Sequence, residues 1–244
     1  MQEASSIDES FGRQRVDADE RKSRIRRVFE AVAPRYDLMN DLMSFGIHRL
    51  WKRTLARRCR GAAGAVVDLA GGTGDVARLL VAPDRRVTVC DPSRAMMSEG
   101  RRRGDVGGGI MWLAGEAEAL PFADASIDLL TVSFGLRNAT RLEAALAEIR
   151  RVLKPGGRFV CLEFSRPHGW FAPFYDLYSY LVIPRLGAAV ARNPEAYQYL
   201  VDSIRRFPDQ RGFAALMDKA GFAAVRWENV SLGIACLHFG EAPR

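Results

Sequence analysis

The sequence predicts an α/β fold: a mostly parallel sheet covered by helices on both faces and finished by an antiparallel strand. Three observations carry that expectation. Short β-branched or apolar runs succeed one another, namely "AVVDLA" (65–70), "RVTVCD" (86–91), "IMWLAG" (110–115), "IDLLTVSF" (127–134) and "RFVCLEF" (158–164). Helix-like segments lie between several of them, and strand–helix alternation implies parallel strands joined by crossovers. Near the end, "AVRWENV" and "GIACLHFG" are separated by too short a link for a crossover, so these two must pair antiparallel.

Taken in order, residues 1–20 are polar and read as a mobile tail. The stretch "RIRRVFEAVAPRYDLMNDLMSFGIHRLWKR" has a helical pattern broken at Pro34, giving a helical lid over 21–60. After "GAAG" the strand–helix alternation begins and defines a main domain over 61–244. The clearest helix is "RLEAALAEIRRVL" (141–153), apolar at spacings of three and four, with Lys154, Pro155, Gly156 and Gly157 as a helix stop followed by a turn. Residues 165–207 fit neither pattern and read as an inserted helical segment rich in Phe and Tyr. "PDQRGFAALMDKAGF" then gives a last helix ended at Gly221. No internal repeat is visible. A seven-stranded, Rossmann-like sheet with one antiparallel strand is the arrangement of class I methyltransferases.

Bulk properties narrow the partners. A chain of 244 residues that is 48% hydrophobic suits one large domain with lids. No apolar run reaches the roughly 18 residues of a spanning helix, and "LVIPRLGAAVA" (181–191) is interrupted by Pro184 and Arg185. The first twenty residues have no apolar core, so neither a secretory signal nor a transit peptide is expected. Cys59, Cys90, Cys161 and Cys236 form no CxxC pair and have no His at ligand spacing, which suggests buried thiols in a reducing cytoplasm and no metal. A net charge of +7 favours anionic partners, nucleic acid or an acidic membrane surface, without choosing between them.

The loop "VVDLAGGTGD" (66–75) contains the first candidate site. Gly72 to Ala77 matches G-x-G-x-x-A, which by itself also fits a dinucleotide fingerprint. A dinucleotide places a pyrophosphate at the helix start, but here Asp75 stands at that start and Asp68 lies just before the loop. Two carboxylates oppose a dianion and favour a cation. S-adenosylmethionine, with its sulfonium and ammonium, fits that charge, and Gly71 and Gly72 allow close approach of its methionine moiety. Asp91 closes the second strand, where a carboxylate can accept from both ribose hydroxyls; the alternative is a solvated acid or a cap for the next helix. Glu116 and Ala117, after the third strand, fall beside the expected adenine.

Several stretches together resemble the UbiE/MenG/COQ5 C-methyltransferases of ubiquinone and menaquinone synthesis. They are "VFEAVAPRYDLMNDLMSFGIHRLWK" (28–52), "VVDLAGGTGD", "EALPF" (118–122), "SFGLRN" (133–138), "RVLKPGG" (151–157) and "YLVDSIRRFPDQ" (199–210), spanning about Val28 to Gly240. The resemblance implies cofactor contacts at Thr73, Asp91, Glu116, Ala117 and Ser133. Position 116 departs from the family's usual Asn or Asp by carrying the longer Glu.

The resemblance further implies methyl transfer to a ring carbon of a polyprenyl quinol, either 2-methoxy-6-polyprenyl-1,4-benzoquinol or demethylmenaquinol. Such a carbon becomes nucleophilic when a neighbouring hydroxyl, of ordinary pKa about 10, gives up its proton. Arg137 and Asn138 follow the fourth strand at the carboxyl edge of the sheet, where ligands bind. Arg137 is expected to hold the developing oxyanion and Asn138 to orient the hydroxyl. An arginine stays protonated, which leaves a water or a carboxylate to take the proton. The alternative for Arg137 is a surface helix cap. Tyr36, Asp37 and His48 are lid candidates, with His48 as a weaker candidate base, and Tyr175 and Tyr178 belong to the aromatic insertion. A nucleic-acid methyltransferase is the second class of reading, but no NPPY or DPPY tetrad and no Cys nucleophile after Pro is present, so no nucleic-acid partner is expected. A quinol substrate resides in the bilayer, so the expectation is a cytoplasmic protein peripheral to the inner face of the membrane. Trp170, the insertion aromatics and "RKSRIRR" (21–27) are the expected contacts. A homo-oligomer and a quinone-biosynthesis complex both stay open.

Overall fold

The computed structural model describes residues 10–11, 14–32, 40–41, 44–104, 109–171, 173 and 194–244. Strands β1 (Ser10–Phe11) and β2 (Gln14–Arg15) pair as a minimal antiparallel hairpin. Helix α1 (Ala18–Val32) follows, starting before the expected boundary at Arg21. Helix α2 (Ile47–Arg58) completes the N-terminal helical region.

The sheet then builds by alternation: β3 (Gly64–Leu69), α3 (Asp75–Leu80), β4 (Arg85–Asp91), α4 (Arg94–Arg102), β5 (Ile110–Ala114), β6 (Ile127–Ser133), α5 (Leu142–Val152) and β7 (Leu153–Phe164). After α6 (Pro194–Arg206) and α7 (Gln210–Lys219) come β8 (Ala223–Val230) and β9 (Ala235–Glu241). The seven strands lie in the order β5-β4-β3-β6-β7-β9-β8. Only β9 runs against its neighbours, pairing antiparallel with both β7 and β8. Strand order reverses between β3 and β6, so a crevice opens beyond their carboxyl ends.

Alternation along the central strands sorts the core into two layers. Val67, Leu69, Leu130 and Val132 pack under α5 and α7 against Leu146, Ile149, Phe213 and Met217. Val66 and Leu129 pack on the opposite face against Leu55, Val76 and Leu80 from α2 and α3. Each such side chain contributes roughly 1.5–3 kcal/mol on burial. Because both faces are covered, these strands read as continuous apolar runs, which is why they were visible in the sequence.

The expected turn after α5 takes another form. The helix passes straight into β7, and pairing with β6 jumps from Ile127↔Leu153 to Leu129↔Arg158. Residues 154–157 are therefore a bulge inside the strand, turned at Gly156 with φ 75°. All four cysteines are buried free thiols. Among the described residues, no helix is long and apolar enough to cross a membrane, and no His, Cys, Asp and Glu cluster could hold a metal ion.

Candidate active site

A cleft of about 900 Å³, counting its open mouth, lies beyond the ends of β3, β4 and β6. The end of β3 and the loop after it supply Leu69, Ala70 and Gly72; the end of β4 and start of α4 supply Asp91, Pro92, Ser93 and Met96. Glu116, Ala117 and Glu118 follow β5, and Phe134, Gly135, Asn138, Ala139 and Thr140 follow β6. The remaining wall is α1, through Lys22, Ile25 and Arg26.

Asp91 organises the cleft floor. Its Oδ2 accepts from the Gly72 N–H at 2.8 Å and its Oδ1 from the Ser93 N–H at 2.7 Å. Burial pushes its carboxyl up to about 6, against the pull of those two bonds. A carboxylate offers about four acceptor positions, so two remain. The capping role that was the alternative for Asp91 falls to Ser93, whose hydroxyl accepts from Met96 N–H at the start of α4.

Asp68 has a different task from the one its sequence position suggested. It is fully enclosed, with Oδ2 accepting from Ala77 N–H at 3.0 Å and Oδ1 from the Thr131 hydroxyl at 2.9 Å. Burial lifts it to about 7, and these bonds oppose the rise. It ties the start of α3 to β6 beneath the loop. Gly71 packs over it, since a Cβ there would meet Asp68 Oδ2 at 2.8 Å. Asp75 pairs with Lys52 at 3.0 Å. Neither aspartate lines the cleft, so the negative charge facing a ligand comes instead from Asp91, Glu116 and Glu118. Thr73 is buried outside the lining, its carbonyl accepting from Arg78 at 2.6 Å. Ser133 also lies outside it, with a buried hydroxyl lacking a hydrogen-bond partner among the described residues.

The turn after β6 holds the largest departure from expectation. Arg137, expected at the carboxyl edge as a charge for the ligand, points inward and is 5% exposed. Its Nη1 donates to Glu163 Oε1 at 2.8 Å and to the Phe134 carbonyl. The guanidinium lies 5.9 Å and 5.4 Å from the ring centres of Phe134 and Phe164. Glu163, on β7, also accepts from the N–H groups of Arg137 and Phe164; burial raises its pKa and Arg137 opposes the rise. A buried carboxylate demands a partner, and Arg137 fills that demand; it caps no surface helix. Asn138, by contrast, does line the cleft.

His48 sits on α2 with Nδ1 at 2.8 Å from Ser44 Oγ, outside the cleft lining. Burial first, then the Lys52 charge, hold it down at about 4. Tyr36, Asp37, Tyr175 and Tyr178 fall outside the described residues. Among the expected residues the cleft thus gathers Gly72, Asp91, Glu116, Ala117 and Asn138. It adds Lys22, whose Nζ meets Glu116 Oε2 at 2.7 Å. It also adds Glu118, which accepts from the N–H groups of Thr140 and Arg141. Glu118 opens the "EALPF" stretch and Lys22 lies in the basic run 21–27, but neither stretch pointed to a place in the cleft.

An acid at the end of β4 with two acceptor positions left, in a cleft beyond a parallel sheet that carries the reversed β9, suits a nucleoside and defines, with the family match, a class I S-adenosylmethionine-dependent methyltransferase. The chain belongs to the ubiE/COQ5 methyltransferase family, which matches residues 16–242. It is 64% identical over 241 residues to the ubiquinone/menaquinone biosynthesis C-methyltransferase UbiE of Rubrivivax gelatinosus, covering 98% of this chain and 95% of that one. The protein of the same name from Paracoccus denitrificans is 49% identical, with 94% and 95% covered. Among solved structures, the [4+2]-cyclase SpnF superposes with TM-score 0.66 at 16% identity, covering 91% of this chain and 96% of its own. Phosphoethanolamine N-methyltransferase 2 of Haemonchus contortus, in complex with S-adenosyl-L-methionine, gives 0.60 at 14% identity, with 80% and 52% covered. At that identity these two share the fold. The enzyme is an S-adenosylmethionine-dependent C-methyltransferase.

Proposed function

We propose that this enzyme methylates a ring carbon of a polyprenyl benzoquinol, 2-methoxy-6-polyprenyl-1,4-benzoquinol, or of demethylmenaquinol, or of both. The observation that carries this reading is the 64% identity to the Rubrivivax gelatinosus enzyme over 98% of the chain. S-adenosylmethionine, when bound, supplies an electrophilic methyl group. The chain's own residues bind and orient. The two remaining acceptor positions of Asp91 take the ribose hydroxyls, Glu116 and Ala117 flank the adenine, and the Gly72 backbone approaches the methionine moiety. Asp68 holds the start of α3 to β6 from below, and Gly71, Thr73 and Ser133 complete the cofactor side of the loop and strand end. Asn138 orients the ring hydroxyl, and Arg137 acts through the turn it anchors to Glu163. Residues 21–60 and 165–207 form lids on the 61–244 domain, with the enzyme peripheral to the inner face of the membrane.

The test is direct. Purified enzyme with methyl-labelled S-adenosylmethionine is offered short-chain analogues of both quinols under reducing conditions, and the products are mapped by mass spectrometry. Label on a ring carbon of either analogue is expected. Cofactor binding without methylation of either ring would overturn the substrate assignment.

A further inference from the structure

Asn138 is approached from outside the sheet on two sides. From α1, Arg21 donates to the carbonyls of Ala139 at 2.7 Å, Arg137 at 3.4 Å and Asn138 at 3.5 Å, fixing the backbone at the end of the 3-10 turn Leu136–Asn138. From α6, the Tyr199 hydroxyl donates to Asn138 Oδ1 at 2.9 Å. Tyr199 is buried, and burial raises its pKa despite the charges of Arg21 and Arg137, so the hydroxyl stays protonated and remains a donor. A side-chain amide has one acceptor end and one donor end, and the partner of one end fixes where the other points. With Oδ1 held by Tyr199, the end of this cleft-lining residue left for a ligand is the Nδ2 donor.

We propose that Tyr199 is a positioning residue for methyl transfer: its hydroxyl holds the Asn138 amide so that Nδ2 donates to the ring oxygen of the substrate. This rests on the reading of the cleft given above. A donor aimed at that oxygen stabilises it as negative charge builds there, and a pre-set amide needs no reorganisation at that moment. A freely rotating amide would instead present its acceptor half the time, which repels the same oxygen. Tyr199 stands behind Asn138, outside the lining of the cleft.

The test joins kinetics to a spectroscopic signature. Tyr199→Phe removes one oxygen and leaves the ring. Its kcat should fall about tenfold, the effect of losing roughly one hydrogen bond, with S-adenosylmethionine affinity unchanged by calorimetry. In an Asn138→Ala background the same substitution should change nothing further. Equal falls in both backgrounds would mean that Tyr199 only braces α6, and would overturn the proposal. Independently of turnover, protein labelled with 15N at asparagine side chains gives the Asn138 amide signal, assigned by its loss in Asn138→Ala. In the wild type that signal should shift when a quinol analogue is added to enzyme loaded with S-adenosylhomocysteine. No shift on binding of the analogue would overturn the proposal even if Tyr199→Phe failed to fold. A wild type that methylates neither quinol would instead overturn the substrate reading, with the amide signal then followed against whichever ring substrate is methylated.

Discussion

Asp91 meets opposite demands in the free and the loaded protein. Burial lifts its carboxyl to about 6 from the ordinary 3.8. The folded state therefore holds this proton more tightly than the unfolded chain does. The free enzyme should gain stability from this group as pH falls from about 6 toward 4 and lose it as pH rises, with a full gap of roughly 3 kcal/mol. Cofactor affinity should run the other way, because the ionised carboxylate accepts hydroxyls best. Below about pH 6, affinity should fall about tenfold per pH unit. Calorimetry across that range checks this, and Asp91→Ala should abolish the part of the slope that Asp91 causes. At neutral pH the same substitution should weaken binding by roughly 2–4 kcal/mol, from two charge-assisted hydrogen bonds; unchanged affinity would end the ribose assignment. Arg137 poses a different problem, since its partner Glu163 has no route to water. Arg137→Ala should lower unfolding stability by roughly 3–5 kcal/mol, the cost of stranding a buried charge. Arg137→Met combined with Glu163→Gln should cost clearly less. Urea titration separates the two, and equal losses would show that packing of Arg137, not its charge pairing, holds the turn.

Among the elements, the glycine loop and α4 are fitted around the Trp112 ring. A Cβ on Gly100 would overlap that ring and lie 2.7 Å from the Thr73 carbonyl. Gly100→Ala should therefore cost roughly 1–3 kcal/mol by overpacking and also weaken cofactor binding, because Thr73 belongs to the loop; thermal unfolding and calorimetry report the two effects separately. Helix α1 contrasts with this. Its Lys22–Glu116 pair is about 39% and 38% exposed, so Lys22→Ala should alter stability by under about 1 kcal/mol. These elements differ in how far the sequence revealed them. The central strands are legible because burial on both faces leaves a continuous apolar run, and Asp91 is legible because it ends such a run at a fixed distance from the loop. Arg137 misleads because the acid that turns it inward, Glu163, lies on the next strand and looks like any strand-end carboxylate. The role of α1 as a cleft wall is hidden for a similar reason. The carbonyl that Arg21 seeks belongs to Ala139, 118 residues away, and no local pattern encodes such a meeting.

Over the whole molecule, a net charge of +7 must be reconciled with a substrate that dissolves in lipid. Among the described residues no helix is long and apolar enough to span a bilayer, and the proposed encounter is at a membrane surface. The structure changes which groups can serve it. In the run 21–27, Arg21 is buried against the 137–139 carbonyls, Lys22 pairs with Glu116 and Arg24 with Glu20. Arg26 is exposed but also lines the cleft, 4.0 Å from Glu116; Arg27 is exposed and outside that lining, and Trp170 stands 68% exposed at the start of the aromatic insertion. A basic side chain near anionic lipid is worth about 1 kcal/mol, screened within a Debye length of roughly 8 Å at physiological salt, and an indole suits the headgroup boundary. Binding should therefore be weak, confined to anionic vesicles and abolished by raising salt. Arg27→Glu should reduce it through charge, and Trp170→Ser should reduce it with little change in salt dependence. Truncating α1 is the wrong experiment, because it removes Arg21 and a wall of the cleft together. Vesicle flotation of the intact chain decides the matter: if the enzyme stays off anionic vesicles at low salt yet fully methylates quinol embedded in them, it meets its substrate without docking on the membrane.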